Sequence, residues 1–128
     1  MRVLLVDNHQ LVRQVLARVL AAEPDLIVVG QGATGQEAID LTRQLQPEVV
    51  LINVRLIGLS GVDATRAILA EFPGLCVIGM TLVDNQEEAR AIREAGAAAC
   101  ISKSGPLKDL VAAIRACPRR PTAISTPR

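Results

Sequence analysis

Aromatic side chains are nearly absent: the chain has no Trp, no Tyr and a single Phe, Phe72. Without such rings there is no platform on which nucleic-acid bases stack. A charge excess is missing too, because 14 Lys and Arg face 13 Asp and Glu for a net charge of +1. Scattered charges in that balance offer neither a stripe for nucleic acid nor a patch for an anionic membrane. The one basic cluster, Arg119-Arg120, lies beside prolines in the tail and reads as a solvated linker. Long apolar runs are lacking, so neither a signal peptide nor a membrane span is expected. Cysteine is scarce as well. Cys76, Cys100 and Cys117 are odd in number and have no CxxC or metal-ligand spacing. Cys76 and Cys100 lie in apolar runs, where cysteine is expected as a small buried hydrophobe. The set suggests a reducing cytoplasm. The single histidine, His9, opens a helical stretch and is expected to be a polar cap-region residue.

What the chain does have is apolar residues in regular order. They make up 50% of its 128 residues. A domain of this size buries roughly 65–70% of its unfolded surface, enough for one core. Five short runs recur: Val3-Leu4-Leu5-Val6, Leu26-Ile27-Val28-Val29, Val49-Val50-Leu51-Ile52, Cys76-Val77-Ile78 and Ala98-Ala99-Cys100-Ile101. Continuous runs suit strands covered on both faces.

Helical spacing fills the gaps between them. Val12, Val15, Leu16, Val19 and Leu20 form one stripe, and Leu107, Leu110, Val111 and Ile114 another. The second helix carries Ala38, Leu41 and Leu45, and the third Thr65, Ile68 and Leu69. The fourth, over about residues 85–95, is the least apolar, with Ala89 and Ile92 expected to face inward. Thr34 with Glu37, Ser60 with Asp63, and Asp84 with Glu87 have capping-box spacing or its acidic equivalent. Pro106 suits the first turn of the last helix. Gly30, Gly32 and Gly35 are expected to serve a turn after the second strand, and Gly58 and Gly61 the loop after Asn53. Five βα units over residues 1–117 call for a parallel sheet with helices on both faces. Residues 118–128, rich in Pro and Arg, read as a linker.

In a doubly wound sheet, function gathers at the carboxyl ends of the strands. Here those ends hold Asp7-Asn8, Asn53, Thr81 and Ser102-Lys103. An acid, two amides, hydroxyls and an ammonium would converge on one pocket. Polar residues must follow buried strands somewhere, but four strand ends carrying this set in this order are hard to assign to chance.

The succession Val6-Asp7-Asn8-His9, Leu51-Ile52-Asn53-Val54-Arg55-Leu56-Ile57-Gly58, Thr81 and Ser102-Lys103 resembles the receiver domain of response regulators. Asp63-Ala64-Thr65-Arg66, Glu94-Ala95-Gly96-Ala97 and Ala113-Ile114-Arg115 are similar to the LuxR/NarL-type transcriptional branch. The resemblance implies a flavodoxin-like (βα)5 fold with strand order 2-1-3-4-5. Its first and last helices would cover one face, and the middle three the other. It also implies roles. Asp7 and Asn8 stand where two acids help hold Mg2+, Asn53 where an aspartate accepts a phosphoryl group, and Arg55 where a backbone carbonyl meets the metal. Thr81 and Lys103 match the hydroxyl and the lysine that sense the phosphoryl group. Cys100 takes the place of the aromatic switch residue, and Ile57 that of a proline.

Asn8, Asn53, Ile57 and Cys100 thus depart from the pattern, while Asp7, Thr81 and Lys103 keep it. An amide is no nucleophile for phosphoryl transfer, and two lost carboxylates weaken the attraction for Mg2+. The expectation is therefore an atypical receiver with no cofactor, Mg2+ weak or absent, and no enzymatic activity. It would act by protein–protein contact, with itself, a sensor kinase or another regulator, and control a helix-turn-helix output beyond residues 118–128. It would not touch membrane, and DNA only through that further domain. Two alternatives stay open: an ordinary phospho-receiver in which Asn53 was engineered from Asp, and a sensor binding a small anion near Lys103 and Thr81.

Overall fold

A computed structural model of the chain describes residues 1–82 and 85–118. Strands and helices alternate throughout: β1 (Arg2–Val6), α1 (Gln10–Ala21), β2 (Ile27–Gly32), α2 (Gly35–Leu45), β3 (Val49–Asn53), α3 (Gly61–Glu71), β4 (Cys76–Thr81), α4 (Gln86–Glu94), β5 (Ala99–Ser102) and α5 (Leu107–Arg115). The five strands form one sheet in the order β2-β1-β3-β4-β5, and every pair is parallel. The expected topology is the observed one.

Two cores explain why the strands read as unbroken apolar runs. Alternate residues along a strand point to opposite faces. Val3, Leu5, Val49, Leu51 and Ile78 pack with Leu16 and Leu20 of α1 and Leu110, Val111 and Ile114 of α5. Leu4, Val6, Val50, Ile52 and Val77 pack instead with Ala38, Ala64, Ile68 and Ile92 from the three middle helices. The central strands β3 and β4 are buried along their whole length. The edge strand β2 is not, and Ile27 is exposed there.

Helix starts follow their capping chemistry. Thr34 accepts from the Glu37 amide at 3.1 Å, Ser60 from that of Asp63 at 3.1 Å, and Asn85 from that of Glu88 at 3.0 Å. The third cap sits one residue later than the spacing of Asp84 and Glu87 implies, and Asp84 itself lies outside the described residues. Pro106 is the residue before α5, not its first turn. Three further expectations need correcting. Val15 is 54% exposed and falls off the buried stripe of α1, which narrows to Leu16 and Leu20. Gly30 and Gly32 lie within β2 rather than in a turn, and Gly35 opens α2. A Cβ on Gly30 would stand 2.5 Å from the Leu45 side chain, so close packing accounts for that glycine. Finally, Cys76 is not a free hydrophobe but is bonded to Cys117. The linker reading of 118–128, Arg119-Arg120 included, falls outside the described residues apart from Pro118.

Candidate functional site at the carboxyl ends of the strands

Strand β1 lies between β2 and β3, so the chain's winding reverses beside it, and a crevice opens where the two halves diverge. Asn53 and Thr81 are the last residues of β3 and β4, Asp7 follows β1, and Lys103 follows β5. The sheet therefore brings them to one edge. Asn8, Asn53, Arg55, Thr81 and Lys103 line a cavity of about 380 Å³, together with His9, Leu82, Asn85 and Glu88.

Asp7 does not line the cavity but is bonded to Lys103, which does. Its side chain is fully buried, and the Lys103 side chain is only 6% exposed; Lys103 Nζ donates to Asp7 Oδ2 at 2.8 Å. The other oxygen, Oδ1, accepts from the His9 backbone N–H at 2.9 Å. His9 is exposed and sits at the α1 N-cap position without a side-chain capping bond, which fits its expected placement. Opposite charges removed from water hold each other strongly when their remaining hydrogen-bonding capacity is also met. Lys103 is anchored from its backbone as well, where its N–H donates to the Thr81 carbonyl at 2.7 Å.

Asn53 is buried, and its NH2 group is fully engaged. Nδ2 donates to Asn8 Oδ1 at 3.0 Å and to the Arg55 carbonyl at 2.8 Å. An NH2 group has two donors, and both are used. The loop that follows needs two glycines for different reasons. Gly58 has φ +79°, and a Cβ on Gly61 would lie 2.1 Å from the Asn53 backbone oxygen.

Sequence reasoning missed three participants. Glu88 pairs with Arg55 across the cavity mouth, and Asn85 shapes the wall while capping α4. Arg13 donates to the Asp7 carbonyl at 2.6 Å. Only the capping spacing of Asn85 and Glu88 left a trace in the sequence. Cys100 and Ser102 do not reach the first cavity. They line a neighbouring groove of about 740 Å³ with Thr81, Asn85, Arg90 and Arg93, so Thr81 and Asn85 are the wall between the two spaces. Burial pushes the free Cys100 thiol up from its ordinary range, against the pull of Arg93 and with a smaller push from Glu88.

The model of the response regulator receiver domain family matches residues 3–115. This chain belongs to the response-regulator receiver family. It is 40% identical over 114 residues to the response regulator GacA of Pseudomonas viridiflava, a match covering 89% of this chain and 53% of that protein. It is 35% identical over 115 residues to the transcriptional regulatory protein LiaR of Bacillus subtilis, covering 90% of this chain and 54% of that one. This receiver thus spans about half the length of these curated relatives. A two-component response regulator of the LuxR family from Aurantimonas superposes with a TM-score of 0.86 at 33% identity, over 90% of this chain and 82% of that one. The receiver is of the LuxR/NarL type.

Receivers of this family bind Mg2+ at the corresponding edge, so the donor set here can be judged against that ion. Mg2+ asks for hard anionic oxygens and loses its waters reluctantly. Two carboxylates are near, and each is already paired with a cation, Asp7 with Lys103 and Glu88 with Arg55. The Asn8 and Arg55 oxygens are taken up by the Asn53 amide. These residues do not fit the ion.

Proposed function

We propose that this LuxR/NarL-type receiver signals without phosphorylation of an aspartate, through contact with a protein partner. The observation that carries the reading is the Asn53 amide. At the strand-three position where the family places its phosphoacceptor, the side chain has no anionic oxygen. Its NH2 group binds the Asn8 and Arg55 oxygens that would otherwise face a cation. A hydrogen-bonded amide thus does by partial charge what the metal does in a phosphorylatable receiver. Asp7, Asn8, Asn53, Arg55, Thr81, Lys103 and Cys100 would be remnants of that machinery, retained as structure.

Lys103 also weighs against an anion sensor in the same cavity, because its ammonium is committed to Asp7. The domain would act as a signalling module in the cytoplasm rather than as an enzyme. Its partners would be a second copy, a sensor kinase or another regulator. Residues 118–128 would link it to a helix-turn-helix domain that binds DNA.

Mass spectrometry after acetyl phosphate treatment in Mg2+ tests this. The unaltered chain is expected to gain no phosphate. Asn53→Asp alone should gain little, because Asn8 still weakens the metal site. Asn8→Asp with Asn53→Asp should regain Mg2+ binding and some modification. Full recovery by Asn53→Asp alone would point to an otherwise ordinary receiver. A covalent phosphate on the unaltered chain would overturn the reading.

A further inference from the structure

The Cys76–Cys117 bond lies far from the site above. Cys76 is the first residue of β4, at the opposite end of the sheet from Asn53, and Cys117 follows the last turn of α5. Both are buried in the core shared by α1 and α5. Their Cα atoms are 6.1 Å apart, within the span a disulfide bridges, and the bond closes a separation of 41 residues.

Little else holds this corner. Ile114 is buried one turn earlier, and the Cys117 N–H donates to its carbonyl at 3.1 Å. Arg115 pairs with Glu23 and Asp25 on the loop before β2, but its guanidinium is exposed. Exposed ion pairs of this kind stabilise only weakly. Cys117 lies directly beyond the last turn of α5. The covalent bond is the strongest tether at the end of α5. The third cysteine, Cys100, is free and lies elsewhere.

We infer that Cys76 and Cys117 form a reversible thiol–disulfide site that sets how firmly the end of α5 is held against the start of β4. The oxidant is a low-molecular-weight disulfide such as oxidised glutathione. One cysteine sulfur attacks it and releases one glutathione thiol. The other cysteine sulfur then attacks the protein sulfur of the mixed disulfide and releases the second. Two protein thiols are oxidised, one disulfide is reduced to two thiols, and the protons move to the glutathione thiolates. In the cytoplasmic setting proposed above, a disulfide is usually transient or sensing rather than structural. The inference is independent of the reading of Asn53.

The test uses the chain as it stands, equilibrated in reduced-to-oxidised glutathione mixtures, acid-quenched, unfolded, alkylated and weighed. Three cysteines should label under reducing conditions and one, Cys100, under oxidising conditions, with the change reversed by dithiothreitol in the folded chain. Hydrogen exchange at residues 114–117 should be at least about tenfold slower in the oxidised form, while β1 and β3 stay unchanged. Cys100→Ser should keep this response, and Cys117→Ala should abolish it. If Cys117→Ala does not fold, the two redox states of the unaltered chain still make the comparison. Stable glutathione adducts in place of the internal bond would overturn the inference. So would a bond that resists reduction in the folded chain, or equal exchange at residues 114–117 in both states.

Discussion

Lys103 and Asp7 are the residues on which the interior of the site depends. The carboxylate is fully buried, with the ammonium as its only charged hydrogen-bond partner among the described residues. Removing one member leaves the other charge stranded in a poorly polarisable interior. Lys103→Met should therefore cost about 3–5 kcal/mol, while adding Asp7→Asn should recover much of that loss. Urea unfolding of the two singles and the double measures the cycle. Additive losses would show that the pair is not coupled. Cys100 shows the same dependence on surroundings. With its thiol pushed up by burial, less thiolate is present at neutral pH, and alkylation of the folded chain should be slower than that of a free thiol. Because its folded pKa lies above its unfolded one, this group's stabilisation is complete below the unfolded value and is lost as pH rises toward the folded one.

Among the elements, α4 is the least apolar and depends on its ends. Ile92 is its only fully buried residue, and Asn85 supplies its capping bond. Ile92 lies against Gly79 of β4, where a Cβ would come within 2.8 Å of it. Asn85→Ala should cost about 1 kcal/mol by loss of the cap. Gly61→Ala should cost clearly more, because the clash at its position is with the Asn53 backbone rather than a side chain that can turn. Thermal unfolding of the two variants compares them. Equal losses would mean that the loop after β3 shifts freely to admit the methyl group.

For the whole molecule, a net charge of +1 leaves few phosphate contacts. All five helices among the described residues supply buried residues to the two cores, so none of them is spare as a recognition helix. Residues 1–118 should show no sequence-preferring gel shift at physiological salt. Leu11 at 77% and Val15 at 54% exposed lie one turn apart on α1 and form an apolar spot without cover in the single chain. Self-association through this helix is expected, and Leu11→Glu should abolish it in sedimentation velocity. A unaltered chain that stays monomeric at high concentration would rule this contact out.

The sequence by itself determined the strand and helix succession, because the central strands are buried on both faces and must be apolar at nearly every position. It also determined the parallel topology, since crossovers of helical length leave no room for hairpins. The residue types at the strand ends were legible for a related reason: a polar group directly after a buried strand has to sit at the sheet's edge. Tertiary structure decided the rest. That Lys103 meets Asp7, and that Asn53 turns its amide toward Asn8, depends on atoms 96 and 45 residues apart in the chain. Spacing along the chain carries no record of such distances. Nor could it show that Cys76 would find Cys117, because the strand and the helix that carry them meet only when α5 closes over the first core.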